Sequence, residues 1–285
     1  MTSATTDSNA LAYSGNVLPP SQQAVLARRW GWWYYAEYRL VQMRSYLQTI
    51  LIAAIGTPLL YLGAMGLGLG NLVDAGSGGV AGVPYLVFVG PGLLVSAIVM
   101  EASAEFSYPV MGGFKWNKYY YAVQSTPVTP NQIVLGEIAA VGLRFLAQTL
   151  VFWLALLNFG AVTSPWSFLV LVIAPLAALA FGAPLMAFAA TQEDEGAQFP
   201  FIQRFIVMPM FLFAGTFYPL ESMPWYLQWI GWVSPMWHGT QLARVVSYDM
   251  PNPVWLTVLH AAVLVVCTTV GVFLAARIFT RRLTR

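Results

Sequence analysis

The stretch FAGTFYPLESMPWYLQWIGWVSP, residues 213–235, combines many aromatic residues with three prolines and a single charged residue, Glu221. It is too interrupted for an ordinary membrane-spanning helix, which needs about 20 mostly apolar residues, and too apolar for an ordinary solvated loop. Non-helical backbone persists at membrane depth only where protein or a water-filled cavity satisfies its polar groups. We therefore expect a re-entrant external helical hairpin over about 220–246; the alternative is an aromatic belt on an external loop.

The composition around this stretch is that of an integral membrane protein. Of 285 residues, 58% are hydrophobic and 8% are charged, and the mean hydropathy is +0.66, whereas soluble proteins carry about 25% charged residues. The fold class is therefore all-α integral membrane protein, and the apolar runs predict six transmembrane helices. These runs cover residues 46–70, 84–107, 132–158, 166–190, 199–219 and 254–279.

The residues before the first run fall into two parts. Residues 1–21 have no basic segment leading into an apolar one, so we expect a flexible cytoplasmic tail and not a signal peptide. Residues 22–44, QQAVLARRWGWWYYAEYRLVQMR, mix arginines with Trp and Tyr, which favours an amphipathic interfacial helix on the membrane surface. An extended loop is the alternative. Residues 45–285 are then the six-span transmembrane domain.

The basic residues predict the orientation of these spans. Six spans place both termini on one side, where eleven lysines and arginines lie; the opposite side has only Arg244, and Arg144 is inside the third span. This positive-inside bias predicts a multi-pass protein of the plasma (inner) membrane with both termini cytoplasmic and residues 213–235 outside. The eleven residues are Arg28, Arg29, Arg39, Arg44, Lys115, Lys118, Arg204, Arg277, Arg281, Arg282 and Arg285.

Two loops on the cytoplasmic side carry features that suit contact with a partner. In the loop 108–131 we expect Gly112 and Gly113 to end the second span and two Thr-Pro pairs to halt a short helix at about 114–125. Such a stiff, aromatic helix suits docking into a groove on another protein, and an interfacial turn is the alternative. The acidic run 193–195 would be repelled by anionic lipid, so we expect either a basic surface that covers it or a solvated turn.

Charged residues also occur inside the predicted spans. Glu101 and Glu105 are four residues apart on the second span, and Glu137 and Arg144 are seven apart on the third, so each pair shares a helix face. Such charges cost about 2.5–3.5 kcal/mol each at mid-helix and usually find partners. We expect Arg144 to be held by Glu137, Glu101 or both, and we favour a structural pair over a substrate or proton site.

Motifs of enzyme and cofactor sites are missing from the sequence. Neither Lys115 nor Lys118 follows a glycine, which excludes a phosphate-binding loop of the G-x-x-x-x-G-K-[ST] kind. His238 and His260 stand alone, without the spacing of metal ligands, and the single cysteine, Cys267, excludes an internal disulfide. We therefore predict that the chain is not an enzyme and has no catalytic residue, cofactor or metal of its own.

The whole pattern resembles the membrane subunits of ABC-2 type exporters over about residues 25–280. The resemblance rests on the interfacial helix, the six spans, the short helix after the second span, and FAGTFYPLESMP followed by SPMWHGTQLAR. Within that family the chain is similar to the branch of the nodulation lipo-oligosaccharide exporter NodJ and the daunorubicin-resistance permease. The most specific feature is the order of Gly215, Pro219, Pro224 and Pro235.

The resemblance implies partners, a substrate class and roles for particular residues. Two permease subunits, identical or paralogous, would pair with two separate nucleotide-binding subunits that bind ATP and Mg²⁺, in membrane lipid and with no nucleic acid. The substrate would be an amphipathic drug, lipid-linked sugar or glycolipid. Residues 22–44 would be the connecting helix, and the coupling helix would use Lys115, Trp116, Lys118, Tyr119, Tyr120 and Gln124. An external gate would contain Gly215, Pro219, Pro224, Trp225, Trp229, Trp232 and Pro235.

Two other functions remain open on the sequence alone. A proton-coupled secondary transporter would use Glu101, Glu105 and Glu137 as proton sites, although the two three-span halves show no convincing similarity of the kind that inverted repeats produce. A membrane assembly protein without a transport role would stimulate no ATPase.

Overall fold

The computed structural model describes residues 20–45 and 47–284. Within these ranges the chain is helical and forms no β-strand; an isolated bridge joins Val80 and Val83. The expectation of an all-helical protein is confirmed. Residues 1–19 of the expected tail lie outside the described residues.

The first half of the chain builds seven helices. They are α1 (Pro20–Arg44), α2 (Leu47–Tyr61), which continues through a π-helical stretch (Leu62–Gly70) into α3 (Asn71–Ser77), then α4 (Tyr85–Glu105), α5 (Tyr108–Lys115), α6 (Tyr119–Gln124) and α7 (Pro130–Asn158). Helix α7 begins at a capping box, in which the Thr129 backbone N–H donates to Gln132 Oε1 over 2.9 Å and Thr129 Oγ1 accepts from the Gln132 backbone N–H over 3.4 Å.

The second half builds the remaining helices. A 3₁₀ turn (Pro165–Leu169) leads into α8 (Val170–Thr191); α9 (Gln198–Ile202) continues through a π-helical turn (Gln203–Val207) into α10 (Met208–Phe213); a second 3₁₀ turn (Leu220–Ser222) precedes α11 (Trp225–Val233), α12 (Pro235–Tyr248) and α13 (Val254–Leu283).

Five helical segments among the described residues are long and apolar enough to cross a membrane. They are Leu59–Ser77, Tyr85–Lys115, Pro130–Asn158, Pro165–Thr191 and Val254–Leu283. The apolar helix Gln198–Phe213 is shorter than the ~20 residues that a span needs, so the sixth span, expected at 199–219, stays a prediction. The segment Leu59–Ser77 overlaps the first span expected at 46–70, and its helix continues past Gly70 into α3.

Helix α8 lies at the centre and packs against α4, α7, α12 and α13. Small residues allow these close approaches, as is common between membrane helices. A Cβ added to Gly271 of α13 would collide with Pro184 of α8, and one added to Gly239 of α12 would meet Ala177 of α8 at 2.6 Å. Helix α12 is therefore part of the packed bundle.

The end of the second span differs from the expectation. Helix α4 ends at Glu105, and Gly112 and Gly113 lie inside α5 instead of ending the span. The two glycines make room for aromatic rings: a Cβ on Gly112 would meet Trp116, and one on Gly113 would collide with Tyr119 and Tyr120. The expected helix at 114–125 is likewise shorter. Lys118, with a φ of 51°, turns the chain, and α6 covers only Tyr119–Gln124.

Candidate functional site

An ion-pair network connects α1, α4 and α7. Arg144 of α7 donates from Nη1 to Glu105 Oε2 over 2.5 Å and from Nη2 to Glu101 Oε2 over 3.1 Å. Arg144 therefore contacts Glu101, one of its two expected partners, and also Glu105, which sequence reasoning placed on the same helix face as Glu101 without pairing it to Arg144.

Of the two expected partners of Arg144, Glu101 contacts it and Glu137 does not. Glu137 Oε1 accepts from Nη2 and Nε of Arg39 over 2.6 and 3.0 Å, and its Oε2 accepts from the Tyr35 hydroxyl over 2.9 Å. The physical reason is the packing of α1 onto α7. Gly136 lets the backbone of α1 approach so closely that a Cβ there would collide with the Trp32 carbonyl, and this brings Arg39 onto Glu137.

Arg39 links the two halves of the network. Its Nη2 also lies 3.3 Å from Glu105 Oε1, so three carboxylates share two guanidinium groups. Burial lowers the pKa of Arg39, but the negative charge of Glu137 together with the neighbouring tyrosine side chains raises it by more, so the net pKa is raised and Arg39 stays charged. Burial and the nearby Glu137 charge raise the pKa of Tyr35, which keeps its hydroxyl a proton donor. Glu101 is the most exposed carboxylate, at 34%.

The residues assigned to the coupling helix face in two directions. Tyr120 is fully buried against Phe114 and Phe279, and the ring of Tyr119 lies 5.9 Å from the Arg39 guanidinium. The expectation that Tyr120 contacts a partner ATPase is therefore wrong, because its ring seats α6 on the transmembrane bundle. Trp116 and Lys118 are exposed, whereas Lys115 and Gln124 are half-buried.

The acidic run 193–195 finds its basic neighbour within the chain. Lys115 Nζ lies 3.7 Å from Asp194 Oδ1 and 3.7 Å from Glu195 Oε1. The indole Nε1 of Trp116 donates to Glu195 Oε1 over 2.6 Å. These contacts fix the loop after α8 beside the exposed end of α5.

The stretch 213–235 forms a left-handed turn followed by helices. Gly215 has a φ of 71°, which explains why glycine occupies this position. Pro219 precedes the second 3₁₀ turn, Pro224 is the N-cap of α11, and Pro235 is the first residue of α12. The three tryptophans expected at the gate, Trp225, Trp229 and Trp232, are exposed by 82%, 58% and 55%.

Arg244 is a buried residue that sequence reasoning missed. It was counted as the one basic residue of the outer side, yet it is 1% exposed. Its Nε donates to the Phe88 carbonyl over 3.1 Å, its Nη2 donates to the carbonyls of Gly215 and Thr216 over 2.8 and 3.1 Å, and its guanidinium lies 3.8 Å from the Phe88 ring. Burial lowers its pKa to about 10, which leaves it charged at neutral pH. The available signal was an arginine inside the segment expected to re-enter the membrane, where a charged side chain usually finds partners.

The two histidines, expected to stand alone, contact each other. Their Nδ1 atoms are 2.7 Å apart, and His238 Nε2 lies 3.0 Å from the Trp232 carbonyl. Because a carbonyl only accepts, His238 Nε2 carries a proton, and its Nδ1 accepts from the Nδ1–H of His260. The pair ties α12 to α13. Among the described residues no group of three or more metal-binding side chains occurs.

Comparison with known proteins places these features in a family. A family model described as ABC-2 type transporter matches residues 31–248, which include the ion-pair network, α6 and α12. The chain is 25% identical to Nodulation protein J of Rhizobium meliloti (strain 1021) over 271 residues, or 91% of this chain and 97% of that protein. It is 27% identical to Nodulation protein J of Rhizobium leguminosarum bv. viciae over 82% of this chain and 88% of that one.

A further relative is named as a transport permease. The chain is 25% identical to the inner membrane transport permease YadH of Escherichia coli (strain K12) over 197 residues, which is 68% of this chain and 73% of that protein. No solved structure matches the chain significantly.

Proposed function

The chain belongs to the ABC-2 type transporter family, and from this membership we propose that it is the membrane-spanning permease subunit of an ATP-driven exporter. The coarser role, a non-enzymatic multi-pass membrane component of an ABC transporter, follows from the family and the apolar helices. The single observation that carries the proposal is the family match across residues 31–248. The expected setting is the inner membrane with both termini cytoplasmic.

The proposed complex contains two of these permeases, identical or paralogous, and two nucleotide-binding subunits. ATP and Mg²⁺ bind in the nucleotide-binding subunits, and this chain supplies no cofactor site. The docking surface on this chain is the exposed side of the α5–α6 turn, formed by Trp116, Lys118 and Tyr121. Tyr119 and Tyr120 support that surface from below.

Movement of the ATPase subunits would reach the bundle through two contacts of α6. Tyr120 packs against Phe279 of α13 with ring centroids 5.0 Å apart, and Tyr119 lies against Arg39, which binds Glu137. A displacement of α6 would therefore move α13 directly. It would also move α1 and α7 through the Arg39–Glu137 ion pair. In this mechanism the ion-pair network transmits movement between helices. Because its carboxylates are already paired with guanidinium groups, we do not propose that they act as the proton sites of a proton-coupled carrier.

Contacts of α12 support the re-entrant hairpin. Ser247, near one end of α12, accepts from the backbone N–H groups of Thr163 and Ser164, just before α8. Gly239, near the other end, contacts Ala177, seven residues inside α8. Helix α12 thus runs along α8 into the bundle, and α11 carries the exposed tryptophans. We propose that this aromatic rim is the exit gate for an amphipathic drug, lipid-linked sugar or glycolipid.

The first test is ATP hydrolysis by the chain purified in lipid with its co-purifying partners, against a panel of amphipathic drugs and glycolipids. We expect a co-purifying ATPase that one compound class stimulates. Trp116→Ala/Tyr121→Ala should lower ATPase recovery, whereas Trp166→Ala/Phe168→Ala, two exposed aromatic residues before α8, should not. An intact preparation without ATPase activity would contradict the proposal.

The gate has its own test. Trp225→Ala/Trp229→Ala should impair export while the ATPase still assembles, because both residues are far in the chain from the docking surface. Unchanged export with both tryptophans removed would contradict the gate.

A further inference from the structure

An apolar cavity of about 800 Å³ lies beside α8 and α13. Its walls include Pro184 and Phe188 of α8, Phe201 of α9, Pro235 at the start of α12, and Cys267 of α13. Gln198 supplies the one amide side chain among otherwise apolar walls. The volume falls in the range of small-molecule sites, ~300–1,000 Å³.

A second, smaller cavity lies at the C-terminal end of α13. Its volume is about 290 Å³, and its walls include Thr191, Glu193, Ile278, Arg281 and Arg282. Arg282 donates to the carbonyls of Ala190 and Gln192 over 2.5 and 3.0 Å, so it is already occupied. Arg281 is exposed and has no hydrogen-bond partner among the described residues. With Glu193 set against the two arginines, the cavity keeps one net positive charge.

Helix periodicity places the two cavities on the same side of the α8–α13 pair, and we call the surface that includes both of them the groove. Ile278 and Arg281 follow Cys267 by 11 and 14 residues, about three and four turns, so all three share one side of α13. On α8, Phe188 and Thr191 follow Pro184 by four and seven residues, which again share one side. Arg281 thus lies roughly 20 Å along the axis from Cys267. This distance exceeds half the thickness of a bilayer's hydrocarbon core, which is about 15 Å.

We propose that this groove binds one anionic membrane lipid, with an acyl chain in the apolar cavity beside Phe188 and Cys267 and the phosphate at Arg281. The apolar walls match a hydrocarbon chain, and the net positive charge at the end of the groove matches an anionic headgroup. A free anion would leave the larger cavity without an occupant. The lipid comes from the leaflet that contacts the C-terminal end of α13. The site does not depend on the proposed transport activity.

The first experiment counts lipids by native mass spectrometry on the full chain, purified with its partners and delipidated. The probes are phosphatidylglycerol and phosphatidylcholine with the same acyl chains. We expect one tightly retained phosphatidylglycerol, and Arg281→Gln should weaken its retention about fivefold, as expected for one basic residue near an anionic headgroup. The matched control is Arg44→Gln, which removes an exposed arginine from α1, a helix that packs on α7.

The second experiment locates the bound lipid through Cys267, the single cysteine of the chain. Phosphatidylglycerol should slow the reaction of Cys267 with an apolar maleimide in the wild type and much less in Arg281→Gln. Ala197→Phe, which fills the cavity from an exposed wall position, should remove both retention and protection. Inorganic phosphate alone should protect nothing.

Three results would overturn the proposal. Equal retention of the two lipids would remove the role of charge, and equal loss in Arg281→Gln and Arg44→Gln would remove the role of this arginine. Retention of phosphatidylglycerol without protection of Cys267 would place the lipid elsewhere.

Discussion

Arg244 shows how one residue stabilises irregular backbone inside the bundle. It forms no ion pair among the described residues, yet it donates to three main-chain carbonyls, of Phe88, Gly215 and Thr216. Those of Gly215 and Thr216 belong to the turn that follows α10, where no helix satisfies them. A buried polar group without a partner costs about 1–3 kcal/mol. Arg244 therefore makes this turn possible at depth.

Replacing Arg244 should destabilise the protein. Arg244→Met keeps an apolar side chain of similar length but leaves the three carbonyls without their donor, so we expect a loss of about 2–4 kcal/mol. The measurement is the thermal unfolding midpoint in a fixed detergent. Arg204→Met, at an exposed arginine, is the control and should change little. Equal midpoints for the two variants would contradict the role of Arg244.

His238 should make stability depend on pH. Burial lowers its pKa, and the hydrogen bond to the Trp232 carbonyl offsets this only in part. Below pH ~6.5, the pKa of an unperturbed histidine, the unfolded chain binds this proton more readily than the folded one. Stability should therefore fall as the pH drops, by at most about 1.4 kcal/mol per pH unit.

The measurement for His238 is the unfolding midpoint at pH 7.5 and at pH 5.5. His238→Asn keeps an amide near the position of Nδ1 and removes the titrating group, so its midpoint should fall less than that of the wild type. An identical fall in both proteins would show that His238 does not contribute.

At the scale of helices, the shorter of the two buried ion pairs of Arg39, the one with Glu137, attaches α1 to α7. Arg39 and Glu137 are 5% and 1% exposed, and removal of one member of such a pair typically costs about 3–5 kcal/mol. We expect Arg39→Met and Glu137→Gln each to lower the unfolding midpoint strongly. The double variant should be more stable than the sum of the two losses predicts, because neither charge is left alone. Additive losses would contradict the pairing.

The packing of α6 against α5 should depend on the absence of a methyl group at Gly113. Gly113→Ala would drive a Cβ into the rings of Tyr119 and Tyr120, which should displace α6 and lower recovery of the co-purifying ATPase. Gly142→Ala is the matched control, because a Cβ there meets Leu179 at 3.6 Å, an ordinary contact. If both variants recover the ATPase equally, α6 is not held by this packing.

At the scale of the whole molecule, hydropathy predicts where helices occur better than it predicts how they meet. A long apolar run must satisfy its backbone internally, which is why α4, α7, α8 and α13 lie where the sequence places them. The role given to Gly112 and Gly113 was wrong: they read as helix breakers that end the second span, although they lie inside α5 and make room for the rings of Trp116, Tyr119 and Tyr120.

The candidate site was harder to predict for the same reason. The seven-residue spacing puts Glu137 and Arg144 on one face of α7, but the approach of Arg39 depends on how α1 packs onto α7. His238 and His260 are 22 residues apart, and only the insertion of α12 against α13 brings their rings together. Contacts between distant helices leave no periodic signal in the sequence.

The number of crossings depends on whether the segment 198–219 crosses the membrane. Helices α9 and α10 with the π-helical turn between them rise about 24 Å, which is less than the ~30 Å hydrocarbon core. Arg244 satisfies the carbonyls of Gly215 and Thr216, so the non-helical residues after Phe213 can complete the crossing at depth. Local thinning of the bilayer would supply the remainder at modest cost. We therefore predict a sixth crossing here.

This prediction is tested with single cysteines in a Cys267→Ser background. Asp194, at 95% exposure, precedes the segment, and Trp229 on α11 follows it. If Gln198–Phe213 crosses, a membrane-impermeant maleimide should label Trp229→Cys in intact cells and Asp194→Cys only after permeabilisation. Labelling of both from one side would mean that the segment returns without crossing. In that case the five longer helices alone would span the membrane, and the two termini would lie on opposite sides.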